Sequence, residues 1–184
     1  MTRLSNKSPA QALAANATAA VSQLCPACGL CCNGVIFADV RLQKGDDPVR
    51  LAALGLPLER RGKIVRFAQP CSALKGNLCC IYAERPVRCR SFECRVLQRA
   101  QTGKLTTAAA LKLIQRARRQ EEVVRGLLLQ LGQRDEHLPF MARYAQIMAE
   151  PDDLAGDPKV IRLRGRLMLA AHKLMQILER DFLA

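Results

Sequence analysis

The second half of the chain carries apolar residues at the spacing of one helix face, which predicts long amphipathic helices. Thr106 or Thr107 can cap a helix that we predict to extend to about Gln133, and a shorter helix is predicted over Pro139–Glu150. Asp157-Pro158 predicts the start of the last helix, because proline is favoured at the first helical position. The apolar stripe of the first helix comprises Leu111, Ile114, Ala117, Val124, Leu127, Leu128 and Leu131. That of the last helix comprises Val160, Leu163, Leu167, Ala171, Leu174 and Ile177.

The first half predicts shorter and less regular elements, separated by turns. These are a helix from Ser8-Pro9 to about Leu24, a strand over Val35–Leu42, a helix from Asp47-Pro48 to about Leu54, a strand over Lys63–Phe67, a turn at Lys75-Gly76-Asn77 and one helical turn after Arg85-Pro86. The predicted fold is α+β and mostly α, with a small irregular cysteine-rich module followed by a helical bundle or hairpin. We divide the chain into an N-terminal helical lead (residues 1–23), this module (residues 24–99) and a helical C-terminal region (residues 100–184).

All nine cysteines fall between Cys25 and Cys94, and the 90 residues that follow contain none. They form a C-x2-C-x2-C-C run and a second, looser group. The run consists of Cys25, Cys28, Cys31 and Cys32, and the second group of Cys71, Cys79, Cys80, Cys89 and Cys94. Thiols two residues apart can turn inward from one tight loop, which is the geometry that a soft metal ion or an iron–sulfur cluster requires. The sequence therefore predicts metal binding through thiolates.

Composition indicates the cellular compartment in which the cysteines would remain as free thiols. A chain of 184 residues can bury a hydrophobic core that is stable without disulfide bonds. An odd number of cysteines also fits poorly with complete disulfide pairing. Residues 1–24 lack the apolar segment of a secretory signal, and no window approaches the apolar length of a membrane span. A reducing cytoplasm is therefore the expected location, with structural disulfides as the opposing interpretation.

Residues between the cysteines extend the pattern. The chain carries Leu74, Ile81-Tyr82, Arg85-Pro86 and the ending Cys89-Arg90-x-Phe92-x-Cys94. Together with the cysteine run, this compound pattern resembles the YkgJ-type cysteine-cluster family, a zinc- or iron-chelating domain, over roughly residues 24 to 95. The resemblance implies a single cysteine near positions 79–80, which makes Cys80 the extra thiol. The metal ligands that it implies are Cys25, Cys28, Cys31, Cys32, Cys71, Cys79, Cys89 and Cys94.

The donor set narrows the choice of metal. His137 and His172 are the only histidines and lie far from the cysteines in sequence, so an all-thiolate site is expected. Thiolates select zinc, Cu(I) or iron–sulfur clusters. The C-x2-C-x2-C spacing and a resemblance of the wider group to the cysteine-rich part of flagellin lysine methylases favour a [4Fe–4S] cluster, with zinc as the alternative. Eight thiols could serve one centre, two separate centres, or one centre and a redox pair.

The formal net charge of +13 is concentrated in the cysteine-bearing part of the chain. Residues 1–100 carry fifteen basic and six acidic side chains, and residues 101–184 carry fourteen and ten. Arginines near the last two cysteines can lower thiol pKa values and hydrogen-bond to bound sulfurs. These arginines are Arg85, Arg88, Arg90, Arg95 and Arg99. Tyr82 and Phe92 are predicted to pack over the metal site.

Two functions remain open from the sequence. One is an intracellular iron–sulfur protein, redox-active or part of a metal-dependent enzyme, with an unidentified protein partner or substrate. The other is a module that zinc holds folded and whose basic helix faces bind nucleic acid or an acidic protein. The basic face of the first long helix comprises Lys112, Arg116 and Arg119, and that of the last helix comprises Arg162, Arg166, Lys173 and Arg180. Nucleic acid is the less favoured partner, because the aromatic platform of single-strand binders is missing. No G-x-S-x-G, H-E-x-x-H, P-loop or Rossmann pattern is present, so no reaction is assigned.

Overall fold

Helices dominate the fold, and short strands occur only in its N-terminal half. The computed structural model describes residue 20, residues 22–149 and residues 157–183. The helices are α1 (residues 22–28), α2 (Pro48–Ala53), α3 (Val87–Ser91), α4 (Arg95–Gln101), α5 (Thr107–Gln130), α6 (Phe140–Ala149) and α7 (Pro158–Asp181). The strands are β1 (Asp39–Arg41), β2 (Glu59–Arg61), β3 (Ile64–Ala68), β4 (Leu74–Lys75) and β5 (Leu78–Cys79), followed by a 3-10 turn over Tyr82–Glu84. This arrangement confirms the predicted α+β, mostly α class.

The long helices begin where the sequence predicted. The Thr106 side chain accepts a hydrogen bond from the Ala109 N–H at 3.2 Å, and Asp157 accepts one from Lys159 at 2.8 Å. Such caps satisfy N–H groups that have no partner within the helix. Helix α5 ends at Gln130 rather than near residue 133. Val160 is 42% exposed, contrary to its place in the predicted stripe, because the buried stripe of α7 begins one turn later, at Leu163.

A large hydrophobic core joins the C-terminal helices to the start of the cysteine region. It contains Leu24 of α1, Val96 of α4, Val124 of α5 and Leu174 of α7, and Phe182 just beyond α7. All five side chains are at most 2% exposed, so the core is closed to solvent at these positions. Helix α1, which carries the first two cysteines, and helix α4, which follows the last one, are thereby packed against the α5–α7 pair.

A second, smaller core lies under the strands. It consists of Val40, Leu51, Leu56, Phe67 and Ala73. The sheet order is β1-β3-β2, with both pairs antiparallel and Val40 opposite Phe67. The predicted strand over Val35–Leu42 is shortened to β1, and β2 was not predicted because its Glu-Arg-Arg sequence has no apolar alternation and is exposed throughout.

The remaining predictions for the first half hold in part. Helix α2 begins at the predicted cap, where Asp47 accepts hydrogen bonds from the Val49 and Arg50 N–H groups at 2.9 and 3.0 Å. Strands β4 and β5 form a hairpin about the predicted turn, and α3 is the predicted helical turn that carries Cys89. The helix predicted from Ser8-Pro9 lies mostly outside the described residues, and its described end extends to Cys28 rather than Leu24. Among the described residues, no helix combines the length and apolar character needed to cross a membrane.

Candidate metal centre

The first four cysteines occupy the end of a helix and the turn that follows it. Cys25 and Cys28 lie three residues apart in α1, so their side chains share one helix face. Gly29 ends the helix with φ +71°, a conformation that glycine adopts without a steric penalty. Its N–H donates to the Cys25 carbonyl at 3.2 Å, and its carbonyl accepts the Cys32 N–H at 2.9 Å. This turn reverses the chain and carries the next two cysteines back toward the first two.

The second cysteine group folds back onto that turn. The Cys71 N–H donates to the Cys32 carbonyl at 2.8 Å, which joins the two groups through their backbones. Leu74, whose N–H donates to the Cys71 carbonyl at 2.9 Å, pairs with Cys79 across the β4–β5 hairpin. Cys89 lies on α3. The connection between Cys32 and Cys71 brings residues that are 39 positions apart in sequence to the edge of one space.

A cavity of about 660 Å³ occupies this space. Seven cysteines line it: Cys25, Cys28, Cys31, Cys32, Cys79, Cys89 and Cys94. Cys71 is outside the lining, but its N–H donates to the carbonyl of Cys32, which lines the cavity. Cys80 is exposed and lies outside the lining. All nine cysteines are within the described residues and are free thiols.

The thiols line the cavity without converging on a single point. Within the described part of the chain, no three His, Cys, Asp or Glu side chains are grouped so that they could hold a metal ion as they stand. The chemistry of the donors nevertheless fits the expected metals, because a lining of soft thiols is suited to zinc and to iron–sulfur clusters. His137 and His172 are both exposed, away from the lining. The full set of metal ligands remains a prediction.

Burial and mutual repulsion keep these thiols protonated in the absence of metal. Burial raises the pKa of Cys28 to about 12, and the nearby Cys94 and Cys25 thiols contribute in the same direction. Burial likewise raises the pKa of Cys89 to about 12 and that of Cys32 to about 11. The pKa of Cys25 is also raised by the protein around its sulfur, although the residue as a whole is exposed. A metal cation would reverse this balance by stabilising the thiolates.

Three arginines, Arg41, Arg85 and Arg88, line the cavity and supply positive charge to it. Arg85 opposes the rise in the pKa of Cys25, Cys32 and Cys89. The Arg85 guanidinium lies 3.6 Å from the centroid of the Tyr82 ring, and its Nε donates to the Tyr82 carbonyl at 3.0 Å. Such contacts fix the direction of the guanidinium. Arg95, by contrast, donates to the Arg180 carbonyl at 3.1 Å, which makes it a contact between α4 and the end of α7.

The C-terminal helices also contribute to the site, which the sequence did not indicate. Ile114 of α5 and Phe182 line the cavity. Arg118 Nη1 donates to the Cys28 carbonyl at 2.8 Å and to Asn77 Oδ1 at 2.9 Å, so it connects α1 with the β4–β5 hairpin. Phe92 and Phe37 also line the cavity, and their rings pack edge-to-face with 4.8 Å between the centroids.

The chain matches a protein-family model. Residues 24–116 match the CxxCxxCC family, described as a putative zinc- or iron-chelating domain, and they cover just over half of the chain. The chain belongs to the CxxCxxCC family. The CxxCxxCC match extends beyond residue 95, through α4 and into α5, and thus includes the helix that contributes Ile114 to the cavity. Membership supports metal binding through the cysteines. Comparisons with curated proteins and with solved structures gave no match.

Proposed function

We propose that this protein holds an iron–sulfur cluster, of the [4Fe–4S] type, through the thiols that line its cavity. The observation that carries the proposal is the lining of one cavity by seven cysteines, three of which come from the C-x2-C-x2-C run. Three thiolates at this spacing with one distant cysteine form a ligand set typical of such clusters. When bound, a cluster of this kind supplies one-electron transfer.

The surroundings of the thiols support a redox role. Four thiolates around a [4Fe–4S] core leave a net negative charge, which Arg85 and Arg88 in the cavity lining would offset. Apolar side chains from α5 and the end of α7, Ile114 and Phe182, limit the access of water to one side of the cavity. We infer that the protein transfers electrons or serves as a redox component of a metal-dependent enzyme in a reducing cytoplasm, where free thiols persist.

Anaerobic purification tests this proposal. The protein should be brown, with broad absorption near ~400 nm from thiolate–iron charge transfer, and it should release acid-labile sulfide. Metal analysis should find iron and sulfide in equal amounts. Colourless protein that binds stoichiometric zinc and no sulfide, even after reconstitution with ferrous iron and sulfide, would exclude the cluster.

The second candidate function is that of a zinc-containing protein whose helices bind a partner. The exposure of its basic helix faces favours this function. Lys112, Arg116 and Arg119 of α5 are exposed, as are Arg162 and Lys173 of α7. In this case the metal stabilises the cysteine region and the helices bind an anionic partner. Affinity for nucleic acid or an acidic protein should then fall steeply with salt, because counterions are released on binding. Affinity that does not change with salt would remove this candidate.

A further inference from the structure

A second cavity, of about 440 Å³, lies beside the cysteine cavity. Leu74 and Asn77 of the β4–β5 hairpin line both cavities, so the two spaces share part of this hairpin as a wall. All nine cysteines are among the described residues, and none of them lines the second cavity. Its chemistry is therefore separate from that of the thiols.

Three arginines and two glutamates supply the charge of the second cavity. They are Arg118, Arg125, Arg143, Glu121 and Glu136. Arg125 and Glu136 form an ion pair, in which Arg125 Nε donates to Glu136 Oε1 at 2.9 Å, and both side chains are about half exposed. Once this pair is set aside, two guanidinium groups, those of Arg118 and Arg143, share the cavity with the single carboxylate of Glu121.

Neutral groups hold these two arginines in place. Arg118 Nη1 donates to the Cys28 carbonyl at 2.8 Å and to Asn77 Oδ1 at 2.9 Å, and Arg143 Nη2 donates to the Gln133 carbonyl at 3.2 Å. No carboxylate of the described residues forms a salt bridge with either guanidinium. The contacts orient the two groups and leave their positive charge without a paired negative charge.

Arg143 is also buried, and its hydrogen bonding is incomplete. The residue is 8% exposed, and its Nε has no hydrogen-bond partner in the described part of the chain. A buried cation that lacks partners costs free energy, because its contacts with water have been lost and not replaced. An anion in the cavity would supply the negative charge that the surrounding protein lacks at this position.

We propose that the second cavity binds a small molecule through an oxyanion, a carboxylate or a phosphate group, held by Arg118 and Arg143. Guanidinium groups present paired N–H donors that match two oxygens of either group. Much of the remaining lining is apolar, with Val35, Leu128 and Phe140 among its members, and the volume lies in the range of small-molecule sites. This inference goes beyond the proposed function, since it requires neither a thiol nor a metal.

Calorimetric titration of the full-length protein, in the metal state in which it is purified, tests the inference. Inorganic phosphate and succinate serve as separate probes in a buffer of low salt concentration. At least one of them should bind with one ion per chain in the millimolar range or tighter, and added sodium chloride should weaken the binding. Binding of phosphate alone indicates a phosphate ester as the ligand, and binding of succinate alone indicates a carboxylic acid.

Three variants test whether the probe binds in the second cavity. Arg143→Gln should weaken binding about tenfold or more, because a charged donor is lost. Glu121→Gln should strengthen binding severalfold, because it removes a negative charge from the cavity while its amide oxygen can still accept from Asn33 Nδ2, which lies 3.4 Å from Glu121 Oε1. Arg119→Gln is the matched control, since this arginine is exposed on α5 outside the lining and its loss should leave the affinity unchanged.

Failure of both probes to bind to the folded wild type would overturn the inference. Phosphate held by a metal in the cysteine cavity would be insensitive to Arg143→Gln, so equal affinity in the wild type and the folded variant would overturn it too. Circular dichroism checks folding. If Arg143→Gln does not fold, Glu121→Gln decides, because a structural role alone predicts no gain of affinity, and unchanged or weaker binding would refute the site. Metal content, measured on the same samples, tests the proposed function separately.

Discussion

The two halves of the cysteine cavity rest on very different supports. Cys28 and Cys94 pack in the large core, which contains 23 buried residues among those described, whereas Cys71 and Cys89 pack against the small core of five. A core of five side chains covered by three short strands buries too little apolar surface to offset its conformational entropy. We infer from this comparison that metal would have unequal roles: on one side it would bind beside a core that already exists, and on the other it would stabilise the fold itself.

Removal of metal should therefore unfold one side and spare the other. We expect chelation to abolish hydrogen-exchange protection across β1–β5 and α3, because metal binding and folding share one free energy where no other core exists. Helices α5 and α7 should remain protected, since their contacts lie in the large core. Exchange measured by mass spectrometry on loaded and chelated protein checks this. Equal loss of protection in both regions would contradict the comparison.

Core truncations should differ in the same way. Phe67 and Leu167 are each at most 1% exposed, in the small and large core respectively. Phe67→Ala should lower the free energy of unfolding by about 3–5 kcal/mol. This exceeds what the small core can lose, so the variant should also bind less metal. Leu167→Ala should cost about 2–5 kcal/mol and lower the melting temperature with the metal retained. The measurements are thermal unfolding and metal content per chain. Loss of metal in Leu167→Ala alone would reverse the assignment.

The raised pKa of the buried thiol predicts that the metal-free protein loses stability at alkaline pH. Burial raises the pKa of Cys28, which belongs to the large core that should persist without metal, from an ordinary value of 9.0 to about 12. The stability due to this protonated thiol is fully present below pH 9. Above it the unfolded chain releases protons that the folded chain keeps, so the free energy of unfolding falls until about pH 12. The slope should be on the order of 1 kcal/mol per thiol per pH unit.

Urea unfolding of the chelated protein near pH 8 and about pH 10.5 measures this loss. Cys28→Ser should reduce the slope, because serine does not ionise in this range. The metal-loaded protein should lose far less stability, since its thiols are already deprotonated in the folded state. An unfolding midpoint of the chelated protein that is unchanged between the two pH values would contradict the prediction.

A smaller effect should arise where the two sides touch. At Gly29, φ is +71° and an added Cβ would lie 2.9 Å from Asn77 Oδ1 of the hairpin. Gly29→Ala should cost about 1–2 kcal/mol from the backbone conformation and more from the displaced hairpin. Gly103→Ala is the control, because φ there is +72° and no atom lies within 4 Å. Equal destabilisation of the two variants, measured by urea unfolding, would show that the Asn77 contact contributes nothing.

Local signals in the sequence predicted the elements that carry them. Asp47, Thr106 and Asp157 each accept a hydrogen bond from a backbone N–H within three residues, so the helix starts could be recognised from a short window. Helix α4 and strand β2 were missed for the opposite reason. No side-chain cap precedes α4, and β2 is held by its pairing with β3 rather than by its own apolar pattern.

The only features of the candidate site that could be predicted from the sequence are those that residue spacing along the chain encodes. The cysteines were identified from their pattern, but α1 continues through Cys25 and Cys28, where a loop was expected. Arg118 reaches the Cys28 carbonyl across 90 residues of sequence, and no local pattern encodes such a contact. The core against which a cysteine packs, the large one for Cys28 and the small one for Cys89, is likewise a property of tertiary packing.

The smallest effect is expected at the ninth cysteine. Cys80 is exposed, its N–H donates to the Ala73 carbonyl at 2.8 Å, and its neighbour Cys79 lines the cavity. Adjacent side chains in an extended segment point to opposite sides, so the two thiols should not reach the same centre. Cys80→Ser should therefore keep the full metal content and change stability by less than about 0.5 kcal/mol, whereas Cys79→Ser should lose metal. Metal analysis of both variants decides the register: retention in Cys79→Ser with loss in Cys80→Ser would place the ligand one residue later in the hairpin.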